Sequence, residues 1–126
     1  MAPKRLSSAK IADLATAVLE DMKATDIVRL DVRHLTSLMD YMIVASGRSD
    51  RHVRAVADAL VEKCKAAGVE IVGREGQEAG EWILIDLVDV VVHVMLPRTR
   101  DFYELERLWD ISRPAADADR DRLGIG

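Results

Sequence analysis

Two runs of β-branched and aromatic residues, Trp82 to Leu87 and Val90 to Leu96, stand so close together that they can only fold back on each other as a β-hairpin. Side chains alternate across a strand, and a connecting loop of even length keeps paired residues on the same face. The hairpin then divides into two sets. Ile83, Ile85, Leu87, Val90, Val92 and Val94 form an all-aliphatic face, as a sheet surface lying under helices requires. Trp82, Leu84, Asp86, Val91, His93 and Met95 form the other, which mixes a large aromatic, a thioether, aliphatics and two ionisable groups. Left in water, that second set makes an apolar patch of the kind that marks a partner site. Trp and Met are also enriched at interface cores. The alternative is cover from another part of the same chain, and an odd loop or a bulge would reshuffle both sets. Within hydrogen-bonding range, Asp86 would fix the His93 tautomer and favour the charged imidazole.

The rest of the chain supplies helices to cover one side of such a sheet. Ser7 or Ser8 can cap a first helix in which Ile11, Leu14, Ala15, Val18, Leu19 and Met22 recur at helical spacing. Asp26 to Val32 suits a strand with imperfect alternation. Tyr41 to Ala45 is a continuous apolar run, typical of a strand covered on both faces. Ser49 can cap a second helix with Val53, Val56, Ala57, Leu60, Val61 and Cys64 on one stripe, ended by Gly68. Val69 to Val72 reads as a short strand, and residues 73–81, rich in Gly and Glu, as a mobile loop. Pro97 and Thr99 open a last helix with Phe102, Leu105, Leu108 and Trp109 inward, which leaves Tyr103 off the core stripe. The order α-β-β-α-β-β-β-α predicts an α/β (α+β-like) single domain with a mixed sheet of about five strands and helices packed on one face. Residues 1–112 form the domain, and the charged segment 113–126 is expected to be disordered.

Composition narrows the function. Of 126 residues, 49% are hydrophobic and 32% charged, a globular balance for one modest core. A net charge of −4 counts against non-specific nucleic-acid binding, though not against a protein that itself sits on RNA. Cys64 has no partner for an internal disulfide and is assigned to packing. The first residues lack an apolar secretory segment, and no run approaches the roughly 18 to 20 apolar residues of a membrane span. A cytoplasmic location without membrane contact is the expectation. His34 and His52 fall on a loop and a helix start, away from His93, so no metal site is expected. Ser46-Gly47-Arg48-Ser49, between a strand and a helix, could present backbone N–H groups to an anion, as in nucleotidyltransferases. That chemistry needs two carboxylates flanking one residue on a strand to hold magnesium. None of the expected strands has them, so the segment reads as a helix-capping turn, with no catalytic residues and no cofactor.

Many of these residues, taken in order, resemble the ribosomal silencing factor family, also called Iojap-like. They are Lys23-Ala-Thr-Asp-Ile27, Leu30-Asp-Val32, Asp40-Tyr41, Val44-Ala-Ser-Gly47, Arg51-His-Val53, Ala57-Asp58, Glu75-Gly76, Trp82-Ile-Leu-Ile-Asp86, Asp89-Val-Val-Val-His93, Phe102-Tyr103, Leu105-Glu106 and Leu108-Trp109. The likeness spans about residues 9 to 110. The resemblance implies a nucleotidyltransferase-like fold without the catalytic carboxylates, and a translational repressor rather than an enzyme. It implies binding to a large-subunit ribosomal protein, number fourteen, at the subunit-joining surface, with ribosomal RNA as a nearby contact. Association with the small subunit would be blocked sterically when nutrients are scarce. It also implies a homodimer when free. The contacts it implies are Trp82, Leu84, Asp86, His93, Met95, Arg100, Tyr103 and Glu104. The family often has Gly in the hairpin turn where this chain has Val88, and an acceptor such as Thr where it has Met39.

Overall fold

The computed structural model describes residues 6–103, excepting the side chains of Phe102 and Tyr103. Ser7 caps helix α1 (Ser8–Asp21), its hydroxyl accepting from the Lys10 N–H. The helix ends where Lys23 and Ala24 donate back to the carbonyls of Glu20 and Leu19, with Lys23 in the left-handed region. Strand β1 (Thr25–Asp31) then runs antiparallel to β2 (Tyr41–Ser46), with a register shift between Thr25 and Val28. That irregularity accounts for the imperfect alternation, because residues of β1 are needed on both faces. Ile27 packs into the core under the helices, while Val28 and Leu30 pack on the other side.

Ser49 caps α2 (Asp50–Ala66), accepting from the His52 N–H at 3.0 Å. Gly68 ends it with φ +78°, the αL position where a side chain is disfavoured. A three-residue strand β3 (Gly73–Glu75) follows, then β4 (Trp82–Asp86) and β5 (Val90–Met95), with α3 (Pro97–Tyr103) leaving directly from β5. The sheet order is β1-β2-β5-β4-β3, with only the β2–β5 pair parallel. Buried on both faces at its centre, this mixed sheet explains the continuous apolar runs of β2 and β5.

Helices α1 and α2 cover one face. Ala12, Ala15 and Leu19 of α1 and Val53, Val56, Leu60 and Cys64 of α2 meet Ile43, Ala45, Ile83, Ile85, Val92 and Val94 there. A smaller cluster of Leu30, Val32, Met42, Val44 and Met95 lies on the opposite face, with Val28, Met39 and Trp82 partly buried against it. Burial pushes the Cys64 thiol up to about 11, so it stays protonated and serves packing.

The third strand falls later than Val69–Val72. Val69 belongs to the end of α2, its N–H donating to the Cys64 carbonyl, and Val72 is 59% exposed. The strand that forms, Gly-Arg-Glu, has little β propensity of its own; pairing with β4 decides it, and its charges blunt a sheet edge. The 73–81 segment is also held down. The Arg54 guanidinium donates to the carbonyls of Gln77 at 2.8 Å and Glu78 at 2.6 Å, and to Asp50 at 3.0 Å. The expectations for Glu104, Leu105, Leu108, Trp109 and the tail after Ser112 lie outside the described residues.

Candidate functional site

The hairpin turn decides which side chains share a face. Leu87 N–H donates to the Val90 carbonyl at 2.8 Å, leaving Val88 and Asp89 as an even, two-residue loop. Trp82 then pairs with Met95, Leu84 with His93 and Asp86 with Val91, all on the face away from α1 and α2. Val88 has φ +76°, and Asp89 N–H donates to the Leu87 carbonyl at 3.1 Å, which makes a γ-turn of the strained kind. Asp86 steadies that turn by accepting from the Val88 N–H at 2.9 Å.

Burial on this face is graded from strand to strand. Leu30 of β1, Met42 and Val44 of β2, and His93 and Met95 of β5 are sunk, whereas Val28 of β1, Trp82, Leu84 and Asp86 on β4 and Val91 at the start of β5 are half-buried. Met95, expected on the exposed patch, is instead fully buried. It sits on a central strand opposite Ser46 of β2, in the small cluster with Met42 and Val44. Arg100 is also buried, at 6% exposure, where a surface charge was expected. The first turn of α3 brings it back over the sheet, and its guanidinium donates to Ser46 Oγ at 2.9 Å. The Tyr103 side chain and Glu104 lie outside the described residues.

His93 does not pair with Asp86. Its Nδ1 accepts the indole N–H of Trp82 at 2.9 Å, with the rings 5.9 Å apart and inclined at 47°. Desolvation pushes the imidazole down to about 4, so it is neutral at physiological pH, contrary to the charged form expected beside a carboxylate. The register held a clue to this contact. Trp82 and His93 are diagonal neighbours across the β4–β5 pair, within reach of an aromatic side chain. Gly76 keeps the adjoining turn close: with φ +93°, a Cβ there would lie 2.0 Å from the Trp82 carbonyl oxygen. Neither Arg54 nor Ser46 carried a sequence signal for its role, since both roles are contacts between distant segments.

Two backbone donors of the turn before α2 are engaged within the chain. Gly47 N–H donates to the Met95 carbonyl at 2.9 Å, and Arg48 N–H to His52 Nδ1 at 3.0 Å. His52 Nε2 therefore carries the ring proton and donates to the Met22 carbonyl at 2.8 Å. With these groups spent on capping and packing, the turn is organised to join β2 to α2. Among the described residues no three His, Cys, Asp or Glu side chains gather as a metal site, and no helix is long and apolar enough to cross a membrane.

A mixed five-stranded sheet, with α1 and α2 on one face and a half-buried strip led by Trp82 on the other, defines a small α/β domain. The profile of the family described as "Ribosomal silencing factor during starvation" matches residues 5–124, and the chain belongs to that family. A "Ribosomal silencing factor RsfS" from Chromobacterium violaceum is 54% identical over 106 residues, covering 84% of this chain and 87% of that one. The protein of the same name from Bacillus subtilis is 35% identical over 114 residues, covering 90% and 96%. The mouse "Mitochondrial assembly of ribosomal large subunit protein 1" is 36% identical over 104 residues, covering 79% of this chain and 45% of that one. A crystal structure of a Chromobacterium violaceum protein superposes with a TM-score of 0.82 at 52% identity, covering 86% and 91%.

Proposed function

We propose that this chain represses translation by docking on the large ribosomal subunit and occluding the surface where the small subunit joins. The observation that carries the proposal is the strip of Trp82, Leu84 and Asp86 along β4. It stays half-buried on a sheet face where the β5 side chains beside it, His93 and Met95, are buried. Partly exposed apolar side chains of this kind anchor protein interfaces, with Trp prominent among the residues that dominate their energy. The family name supports a ribosomal target and a silencing role, and the mouse relative's name concerns the large subunit in particular.

The partner chemistry that fits is a protein surface of the large subunit, number fourteen at the subunit-joining side, with ribosomal RNA close by. Tyr103 and Glu104 would extend the contact beyond the strip. His93 and Met95 support it from beneath, and Arg100 anchors α3 beside it. No catalysis and no cofactor enter this reading, because occlusion needs only shape and affinity. The free chain would be a cytoplasmic homodimer.

Co-sedimentation of the purified full chain with separated ribosomal subunits at physiological salt tests the proposal. Binding to large subunits, with a lower yield of joined ribosomes when small subunits are added, is the expected result. A chain that stays in the supernatant, or that binds small subunits instead, overturns it.

A further inference from the structure

A tryptophan at a docking surface has to solve a problem of its own. Its ring is apolar, but its indole N–H demands an acceptor, and a free side chain must be ordered before it can bind. In this chain the acceptor lies inside the sheet. His93 is 7% exposed, and its Nδ1 receives the Trp82 indole N–H at 2.9 Å. Because Nδ1 accepts, the imidazole proton sits on Nε2, which makes no hydrogen bond within the described residues. Asp86, the nearest carboxylate along the strip, is occupied with the Val88 N–H. The other side chains sunk into this face are Leu30, Val32, Met42, Val44, Met95, Ser46 and Arg100; of these only the Ser46 hydroxyl accepts well, and it already accepts from the Arg100 guanidinium.

We propose that His93 is a positioning residue for docking: it holds the Trp82 ring in the orientation in which the partner meets it, and touches the partner only through Trp82. The idea rests on the docking reading above and gives His93 a specific task within it. It explains why a histidine occupies an otherwise aliphatic stretch of β5, where Val92, Val94 and Met95 surround it. Desolvation keeps that imidazole neutral, the state in which Nδ1 can accept. It also fits the packing on the backbone side, where Gly76 allows the neighbouring turn to close against the Trp82 carbonyl. Backbone and side chain of Trp82 are thus fixed by different groups.

The test measures affinity of the full chain for purified large ribosomal subunits in a double-mutant cycle. His93→Leu removes the acceptor at similar volume, His93→Asn keeps an oxygen near the Nδ1 position, and Trp82→Phe removes the donor. His93→Leu should weaken binding about threefold to tenfold, the worth of one ordered hydrogen bond. His93→Asn should restore most of it. Added to Trp82→Phe, His93→Leu should cost nothing further, because the residue acts through the indole. Equal losses in both backgrounds, or full affinity of His93→Leu, overturn the assignment.

Nitrogen-15 NMR gives a readout that needs no ribosome. The Trp82 indole N–H resonance, assigned by its absence in Trp82→Phe, should lie downfield in the unmodified chain and move upfield in His93→Leu but not in His93→Asn. If His93→Leu does not fold, Trp82→Phe itself should shift the His93 Nδ1 resonance while Nε2 stays protonated. A Nδ1 resonance that ignores Trp82→Phe overturns the bond. If the unmodified chain fails to bind large subunits, the docking reading falls; if it binds and His93→Leu binds equally, positioning alone falls.

Discussion

Of the ten paired positions of the β4–β5 hairpin, four side chains face the helices and six face the other way, and the two faces are used differently. On the helix-covered face Ile83, Ile85, Val92 and Val94 are fully buried, purely aliphatic and shielded by α1 and α2. On the other face burial deepens from β4 toward β5, and two ionisable groups enter, Asp86 half-buried at the turn and His93 buried beneath Trp82. The first face supplies stability. The second divides its residues between a small supporting core and a strip kept accessible. That division is the structural basis for expecting some substitutions to unfold the protein and others only to disable it.

The largest effect is expected from truncation in the buried sets. Ile83→Ala should cost about 3 to 4 kcal/mol of stability, from lost transfer energy and the cavity left behind. Met95→Ala should cost about 3 kcal/mol for the same reason, although it lies on the other face. Urea denaturation followed by circular dichroism measures both. If Met95→Ala leaves the denaturation midpoint unchanged and weakens ribosome binding instead, Met95 is a contact residue and the second core is not structural.

Trp82→Ala should reverse that pattern. Affinity for large subunits should fall by about 2 kcal/mol, roughly thirtyfold, as for a central aromatic anchor. The loss of stability should be smaller than for Ile83→Ala, since the ring is only half-buried. A variant that denatures as readily as Ile83→Ala while retaining affinity when folded would place Trp82 with the core and leave the strip without its anchor.

Why some of this was legible in the sequence and some was not follows from how far each signal reaches. The stripes of α1 and α2 and their Ser7 and Ser49 caps are local, so spacing alone predicts them. So is the division of the hairpin, once the two-residue loop holds its register. Long-range pairing is not. Gly73–Glu75 becomes a strand only because β4 offers it an edge, and no propensity in Gly-Arg-Glu announces that. Alternation puts Met95 on the side of the strip but tells only which way a residue faces, not what lies above it. Its cover depends on β5 running parallel beside β2 and on α3 turning back toward Ser46. For His93 charge alone points to an aspartate partner, whereas the diagonal register favours the indole.

The neutral state of His93 makes the contrast between faces depend on pH. Its folded pKa of about 4 lies below the ordinary 6.5. Above the ordinary value both folded and unfolded chains are neutral, and the group has no effect. Below it the unfolded chain takes a proton that the folded chain refuses, so stability falls as pH drops through the window from about 6.5 to about 4. The loss between about pH 7 and about pH 5 should be roughly 2 kcal/mol. Denaturation midpoints at the two pH values measure it, and His93→Asn should remove that part of the slope. An unchanged slope in His93→Asn would assign the dependence to other groups.

The smallest effect concerns the turn that joins the two faces. Val88 is a β-branched residue at φ +76°, a region costly for any side chain and most of all for a branched one. It is 42% exposed, so its side chain returns little burial for that strain. Val88→Gly relieves the strain but adds conformational freedom to the unfolded chain, which offsets part of the gain. The balance should favour Gly by about 1 kcal/mol, measured as a higher denaturation midpoint. Because the Asp86 carboxylate and the Leu87–Val90 pairing set the register independently of the Val88 side chain, ribosome affinity should not change. A stabilised variant that binds less well would mean that the strained turn itself sets the height of Asp86 on the strip.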